Sequence, residues 1–339
     1  MTPAGRRQSL NRALVLVTGA GGFIGQHLVR RLKADGRRVR AVDLVSPPYE
    51  SSPADEFLIG DLRDSSIATR AAEGVDEVYA LAADMGGMGY ISSAPASILH
   101  NNLLIDANLI EAARLAGVKR FLYASSACVY PDYLQRDENS ASVAEDDAYP
   151  AQPQDSYGWE KLIGERLCAE YRSQFGLAPR VVRLHNVYGP YGTWDGGREK
   201  APAAICRKVA LAKLLGEPEI EVWGDGGQLR SFCYIDDCIE GLCRIMQADH
   251  ALPLNLGRER MIAIAELVDL VSDIADYEVR IRFVPGPEGV RARTSENTNL
   301  RKALGWEPRT PLEIGLKKTY AWIELQVHEK HRAVTNDTA

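Results

Sequence analysis

Short apolar runs that stop at glycines or carboxylates, each followed by residues at helical spacing, recur through the first half of this chain. Ala13 to Val17 runs into Thr18-Gly-Ala-Gly-Gly-Phe-Ile-Gly25, after which His27, Leu28, Arg31 and Leu32 repeat three and four apart. That is strand, glycine turn, helix. Val39 to Leu44, Phe57 to Ile59 and Glu77 to Ala82 read as further strands, and Asn102 to Ala116 reads as a helix closed by Gly117. A fifth strand, Phe121 to Ala124, ends at once in Ser125, Ser126, Cys128 and Tyr130. Strands alternating with helices predict an α/β fold with a doubly wound parallel sheet covered on both faces. In such sheets ligands sit outside the carboxyl ends of strands, so these hydroxyls and this thiol are candidate chemistry, and Cys128, two residues past Ser126, should fall on the same face of the strand. Small strand-end residues that merely pack are the plain alternative.

Beyond residue 130 the texture changes. Pro131 to Pro153 is polar, proline-bearing and without sustained period, which predicts a long functional loop. A helix over Asp155 to Phe175 and a strand over Arg180 to Leu184 follow. His185 to Arg230 is crowded with Gly, Pro, Trp and basic residues, a texture that suits a ligand cover better than a second core. Ser231 to Gln247 and Leu252 to Leu256 look like a return to the main sheet. The expected organisation is a dinucleotide-fold domain over 13–184 with return elements at 231–256, and a smaller, discontinuous C-terminal subdomain over 185–230 and 257–327. Residues 1–12 and 328–339 read as flexible tails.

Composition narrows the class without changing the fold. With 339 residues, 45% hydrophobic and 25% charged, the chain can bury a full core. A net charge of −6 argues against nucleic acid or an anionic membrane as the main partner. No apolar run approaches a membrane span, and Met1 to Arg12 lacks the apolar core of a signal peptide, so a cytoplasmic location is expected. Six cysteines without C-x-x-C pairs read as reduced thiols, with no metal site.

Two constellations carry chemistry. Gly19, Gly22 and Gly25, with Phe23 and Ile24 between them, follow a strand and open a helix whose N-terminal amides favour a pyrophosphate. Asp43 ends the second strand, where a carboxylate accepts from ribose hydroxyls and repels a 2′-phosphate; NAD is the expected cofactor. A solvated strand-end charge is the bland reading of Asp43, and Asp61 is a weaker candidate for the adenine. Tyr157-Gly-Trp-Glu-Lys161 puts Tyr157 and Lys161 on one helix face, where an ammonium lowers the pKa of a phenol that must take a hydroxyl proton.

Standing after that glycine turn, with Ser126 as a third partner, the Tyr157/Lys161 pair resembles that of the extended short-chain dehydrogenase/reductase family of nucleotide-sugar enzymes, which have a Rossmann sheet. The resemblance implies a triad of Ser126, Tyr157 and Lys161, with Lys161 also holding the nicotinamide ribose. Longer phrases are similar to one branch of that family, epimerases that act on a GDP-hexose at C3 and C5: Ala82-Ala-Asp-Met-Gly-Gly-Met-Gly89, Ala124-Ser-Ser-Ala-Cys128, Gln154-Asp-Ser-Tyr157, His185-Asn186-Val-Tyr-Gly-Pro190, Gly196-Gly-Arg-Glu-Lys-Ala-Pro202 and Pro285 to Arg293. The similarity covers about residues 13 to 325. It implies Cys128 and Lys200 as an acid/base pair, and substrate contacts from Gly86, Ser126, Asn186, Glu199, Lys200, Ala201, Lys208, Gln228, Arg230 and Arg293. Arg230, Arg293 and Lys208 would take the diphosphate, whereas Arg207, Arg258 and Arg260 read as solvated surface. Leu229, Ala292 and Trp159 depart from the branch's usual residues. A homodimer through Asn102–Ala116 and Asp155–Phe175 is implied in the same way.

The chemistry is consistent with that resemblance. A C–H beside a plain hydroxyl is too weak an acid for a side chain to deprotonate, whereas a C4 ketone acidifies both C3 and C5. The expected cycle is oxidation at C4 with Tyr157 as base, proton exchange by Cys128 and Lys200, and return of the hydride. A 4-epimerase, a 4,6-dehydratase and a non-catalytic NAD-binding regulator are the rival readings.

Overall fold

The structure, a computed structural model, describes residues 13–137 and 142–337. Residues 1–12, read above as a tail, lie outside the described residues. β1 (Leu14–Thr18), α1 (Phe23–Ala34), β2 (Arg38–Asp43), β3 (Glu56–Ile59), α2 (Ser65–Ala72) and β4 (Glu77–Ala80) form the first half of the sheet and its cover. The short α3 (Met88–Ser93) and long α4 (Pro95–Leu115) lead to β5 (Arg120–Ser126). After β6 (Ser142–Val143), α5 (Ser156–Phe175) and β7 (Pro179–Leu184), the chain leaves the sheet. It comes back as α7 (Ile235–Gln247) and β12 (Leu254–Leu256). The seven strands run in the order β12-β7-β5-β4-β1-β2-β3, all parallel.

Both faces of this sheet are dry, which is why its strands read as continuous apolar runs. Within β1 the alternation is visible residue by residue. Val15 and Val17 face one core with Leu28, Leu122, Ile239 and Leu242, and Leu14 and Leu16 face the other with Ala68, Ile110, Ala113 and Phe121.

The segment between β7 and α7 is more ordered than its texture suggests. β8 (Val187–Tyr188) pairs with β11 (Cys233–Tyr234), and α6 (Ala201–Leu215) buries Ile205, Cys206, Val209 and Ala212. The segment lines the cavity, as a ligand cover would, and the apolar stripe of α6 joins the core of the main sheet, so no second core forms there. β9 (Glu219–Trp223) pairs with β14 (Arg280–Val284), and α8 (Ile264–Ala275) packs on α6.

A second sheet matters most for the chemistry. It joins β13 (Met261–Ala263), β10 (Leu229–Ser231), β15 (Ala292–Ser295) and β6 in that order. β6 comes from the Pro131–Pro153 segment, so the described part of that segment is a structural brace, with Gln135, Val143, Glu145 and Ala148 buried. α9 (Thr298–Leu304) precedes α10 (Leu312–Asp337), the last helix. Residues 328–337 of the tail expected over 328–339 continue that helix, and 338–339 lie outside the described residues; Glu329, Lys330, His331 and Arg332 are exposed, and Lys330 bonds to Asp195. No helix among the described residues is long and apolar enough to cross a membrane.

Candidate active site

β5 ends at Ser126, whose hydroxyl accepts the Cys128 backbone N–H at 3.1 Å and caps a tight 3₁₀ turn over Ala127–Val129. Cys128 therefore reaches the site from a turn. The strand alternation expected to place it on Ser126's face does not extend that far. α5 begins directly against this turn, its first turn capped by Asp155, which accepts from Gly158 N–H at 2.8 Å. A Cβ on Gly158 would stand 2.1 Å from the Cys128 carbonyl oxygen, so only glycine lets the helix come this close. Tyr157 and Cys128 are neighbours for that reason.

One cavity of about 560 Å³ gathers Gly86, Ser126, Cys128, Tyr157, Asn186, Glu199, Lys200, Ala201, Lys208, Gln228, Arg230 and Arg293 in its lining. Lys161 lies beneath it, almost wholly buried. Two of the phrases noted in the sequence meet at the rim: Gly87 N–H donates to the Arg198 carbonyl at 3.0 Å, and the Arg198 guanidinium lies 3.6 Å from the Tyr90 ring centroid. Glu199 braces its own loop, accepting from Gly197 N–H at 2.7 Å and from Arg207 at 2.9 Å. Arg207, expected to be solvated surface, is thus a wall residue held by carboxylates. His185 is buried against Tyr130 and bonded to Asn255, away from the cavity.

The cations divide by task. Arg293, held through its Nε by Gln135, points Nη1 at the Cys128 sulfur, 3.4 Å away. Arg293 lines the same cavity as Arg230 and Lys208, the other cations expected at the diphosphate. Arg230 gives its terminal N–H groups to the carbonyls of Leu229, Glu288, Val290 and Arg291, and among the described residues this leaves its Nε–H for a ligand. Lys208 donates to the Glu221 carbonyl at 2.6 Å.

The titratable groups are strongly perturbed. Burial pushes the Tyr157 phenol above its ordinary range; Lys161 and a bond to Ser126 pull it down without offsetting burial. The net lowering expected from Lys161 alone is therefore absent in the free protein. Burial pushes the Lys200 amine down, with Cys128 and Cys238 opposing and Arg293 reinforcing. Lys200 is also the N-cap of α6, whose positive end disfavours an ammonium.

The glycine turn is built for a dinucleotide. A Cβ on Gly25 would stand 2.1 Å from the Gly19 carbonyl oxygen, so the turn and α1 close only with glycine there. Gly22, the N-cap of α1, offers no side-chain cap, and its first amides are available to phosphate oxygens. Asp43 accepts from Gly21 N–H at 2.9 Å, holding the loop at the strand end where ribose hydroxyls are read. Asp61 is engaged by Arg63 on the exposed edge. Phe23, Gln26, Tyr49 and Trp194 line a cleft of about 310 Å³ over the turn. Ile24 packs inward against the core.

Residues 15–257 match the model of the NAD dependent epimerase/dehydratase family. The chain belongs to that family. Among relatives, a GDP-mannose 3,5-epimerase of Arabidopsis thaliana is 47% identical over 96% of this chain and 85% of its own length. GDP-mannose 3,5-epimerase 1 of Oryza sativa subsp. japonica is 48% identical over 93% and 83%. Among solved structures, a UDP-glucose 4-epimerase of Thermotoga maritima, solved with UDP-glucose, superposes with a TM-score of 0.83 at 26% identity, covering 93% of this chain and 99% of that one.

Several residues of the site were not legible beforehand. Asn102, Asp106 and Glu160 surround Lys161, and Gln135 holds Arg293. Asn102 and Asp106 did carry a signal, as polar residues on the buried stripe of α4 beside Leu109, Ile110 and Ala113. Glu160 carried none.

Proposed function

We propose that this chain is a GDP-mannose 3,5-epimerase, converting GDP-D-mannose to GDP-L-galactose, GDP-L-gulose or both. The observation that carries the reading is the Cys128 thiol under the Arg293 guanidinium, in one cavity with an amine, Lys200, that burial drives toward its neutral form. A simple dehydrogenase or 4-epimerase has no use for that pair. The relatives of 47 and 48% identity support the same substrate.

NAD, held by the glycine turn, Asp43 and the face above Tyr157 and Lys161, supplies a reversible hydride acceptor for C4. Tyr157 takes the C4 hydroxyl proton and later gives it back, with Ser126 in hydrogen-bonding reach of the phenol and Lys161 below its ring. While C4 is a ketone, C5 and C3 are acidic. Cys128, in contact with Arg293, and Lys200 then remove and return protons on opposite faces. Gly86, Asn186, Glu199, Ala201 and Gln228 shape the walls. Lys208 and the Arg230 Nε–H serve the diphosphate. The sheet domain holds the cofactor in this reading, and the segments 185–230 and 257–327 hold the nucleotide sugar.

Incubation with GDP-mannose in D₂O tests the proposal directly. Deuterium at C5 and C3, read by NMR, is expected. Inversion at C4 without incorporated label would replace the reading by a 4-epimerase.

The same proposal includes a homodimer in a reducing, cytoplasmic setting, which suits six free cysteines. Leu104 on α4 and Trp159 and Ile163 on adjoining α5 are exposed apolar side chains on neighbouring helices, as a second copy requires. Trp159→Asp is expected to yield monomer in sedimentation, and an unchanged dimer would place the interface elsewhere.

A further inference from the structure

Lys161 sits in a closed chamber whose other members the cycle above does not use. Its Nζ lies 3.5 Å from Glu160 Oε1, 3.8 Å from Asp106 Oδ2 and 3.4 Å from the Tyr123 hydroxyl. The Tyr123 hydroxyl donates to Asp106 Oδ2 at 2.6 Å, and Asn102 Nδ2 donates to Glu160 Oε1 at 2.8 Å. Glu160 is wholly buried, and its Oε2 has no hydrogen-bond partner among the described residues. α4 contributes Asn102 and Asp106, β5 contributes Tyr123, and α5 contributes Tyr157, Glu160, Lys161 and, beside Asp106, the Cys168 thiol, whose pKa burial pushes up.

Charge counting shows what such a chamber does. With both carboxylates ionised, Lys161 leaves one buried negative charge uncompensated, which is costly. One bound proton makes the chamber neutral. A second proton is accepted at no change in total charge if it comes from the Tyr157 phenol, because the phenolate formed balances it.

We propose that Glu160 and Asp106 are a proton store for Tyr157, reached through Lys161. The Tyr157 O–H bond breaks and its proton passes to Lys161 as Lys161 gives one of its own, directly or through the Tyr123 hydroxyl, to a carboxylate of the pair. An O–H bond forms there, and the total of protons and charge within the chamber is unchanged. This explains how a phenol that burial holds in its protonated form becomes a base without sending a proton to solvent. The inference rests on the epimerase reading only for the identity of the hydroxyl that Tyr157 later deprotonates. Burial raises the Glu160 carboxyl to about 7, with Asp106 adding to the rise and Lys161 opposing it, so the store fills and empties near neutrality.

The test is Glu160→Gln in the full chain, which keeps the acceptor for Asn102. Wild-type kcat is expected to fall on the acid side near neutral pH, as the store fills. In Glu160→Gln kcat should drop about tenfold with KM unchanged, and the acid limb should move by about one unit or vanish. The ultraviolet phenolate band assigned to Tyr157 by difference from Tyr157→Phe should weaken in parallel, with or without sugar substrate. Glu160→Asp should restore part of both signals. A uniform loss across pH with an unchanged phenolate band would reduce Glu160 to a structural residue and overturn the inference. Failure of wild type to label GDP-mannose, with the phenolate response intact, would instead sink the substrate assignment and leave the store standing.

Discussion

Two lysines serve this cavity from opposite sides, Lys161 buried and Lys200 half-buried, and their surroundings could hardly differ more. Lys161, under the floor, has Glu160 and Asp106 at ion-pair distance. Burial works against its ammonium, but those carboxylates outweigh burial and hold it above the ordinary lysine range. Lys200, in the wall, has no carboxylate at ion-pair distance among the described residues, and burial pushes its amine down. The same side chain thereby keeps its positive charge in one place, even where it relays a proton, and is driven toward its neutral form in the other. The partners decide which, through whether desolvation is compensated. A reaction needing both a transient oxidation and a stereochemical inversion uses one of each.

The sharpest way to break this comparison is to disable the inversion side alone. Cys128→Ala removes the thiol and leaves Ser126, Tyr157 and Lys161 in place. Exchange of sugar protons with D₂O should fall by about 10³-fold or more, while reduction of bound NAD on mixing with GDP-mannose persists. Wild-type exchange in this variant would move the base to another residue and dissolve the division between floor and wall.

That division was only half legible in the sequence. The glycine turn and the Tyr157/Lys161 pair are local arrangements, set by a strand–turn–helix pattern and by a spacing of four, so no tertiary knowledge was needed. Cys128 was found by nearness to Ser126, although the strand argument used for it fails one residue too early, where the 3₁₀ turn begins. Arg293 lies 165 residues from Cys128 and reaches it from β15, which lies between β10 and β6 in a register no local pattern announces. Asp106 and Glu160 look like ordinary helix carboxylates until α4 and α5 pack together and seal them off from water. The buried helix α6 shows the reverse case, a readable apolar stripe overlooked beside louder Gly, Pro and Trp residues.

Stability separates the two lysines by a smaller but independent margin. Lys161→Met leaves Asp106 and Glu160 buried without a cation. At pH 8 it should cost about 3 kcal/mol in urea unfolding, less as the carboxylates take up protons. Lys200→Met removes an amine whose burial is not compensated, and should leave unfolding free energy unchanged or raised. Equal losses in the two variants would mean that Lys200 has an ionic partner after all. Both variants should lose turnover, so activity alone does not discriminate between them.

The smallest effect is the sign of a slope. A lysine whose folded pKa is raised, as for Lys161, contributes stability that is full below the unfolded pKa near 10.5 and is lost as pH rises through the folded value. A lysine whose folded pKa is lowered, as for Lys200, binds fewer protons folded than unfolded, so folding gains stability as pH climbs through the folded value toward 10.5. Unfolding free energies measured from pH 7 to 10 should therefore rise less steeply in Lys200→Met than in wild type. Lys161→Met tests the other sign only above that range, where alkaline loss of stability should be milder than in wild type. If Lys200→Met runs parallel to wild type throughout, Lys200 is an ordinary solvated ammonium, and the wall has lost its proton carrier.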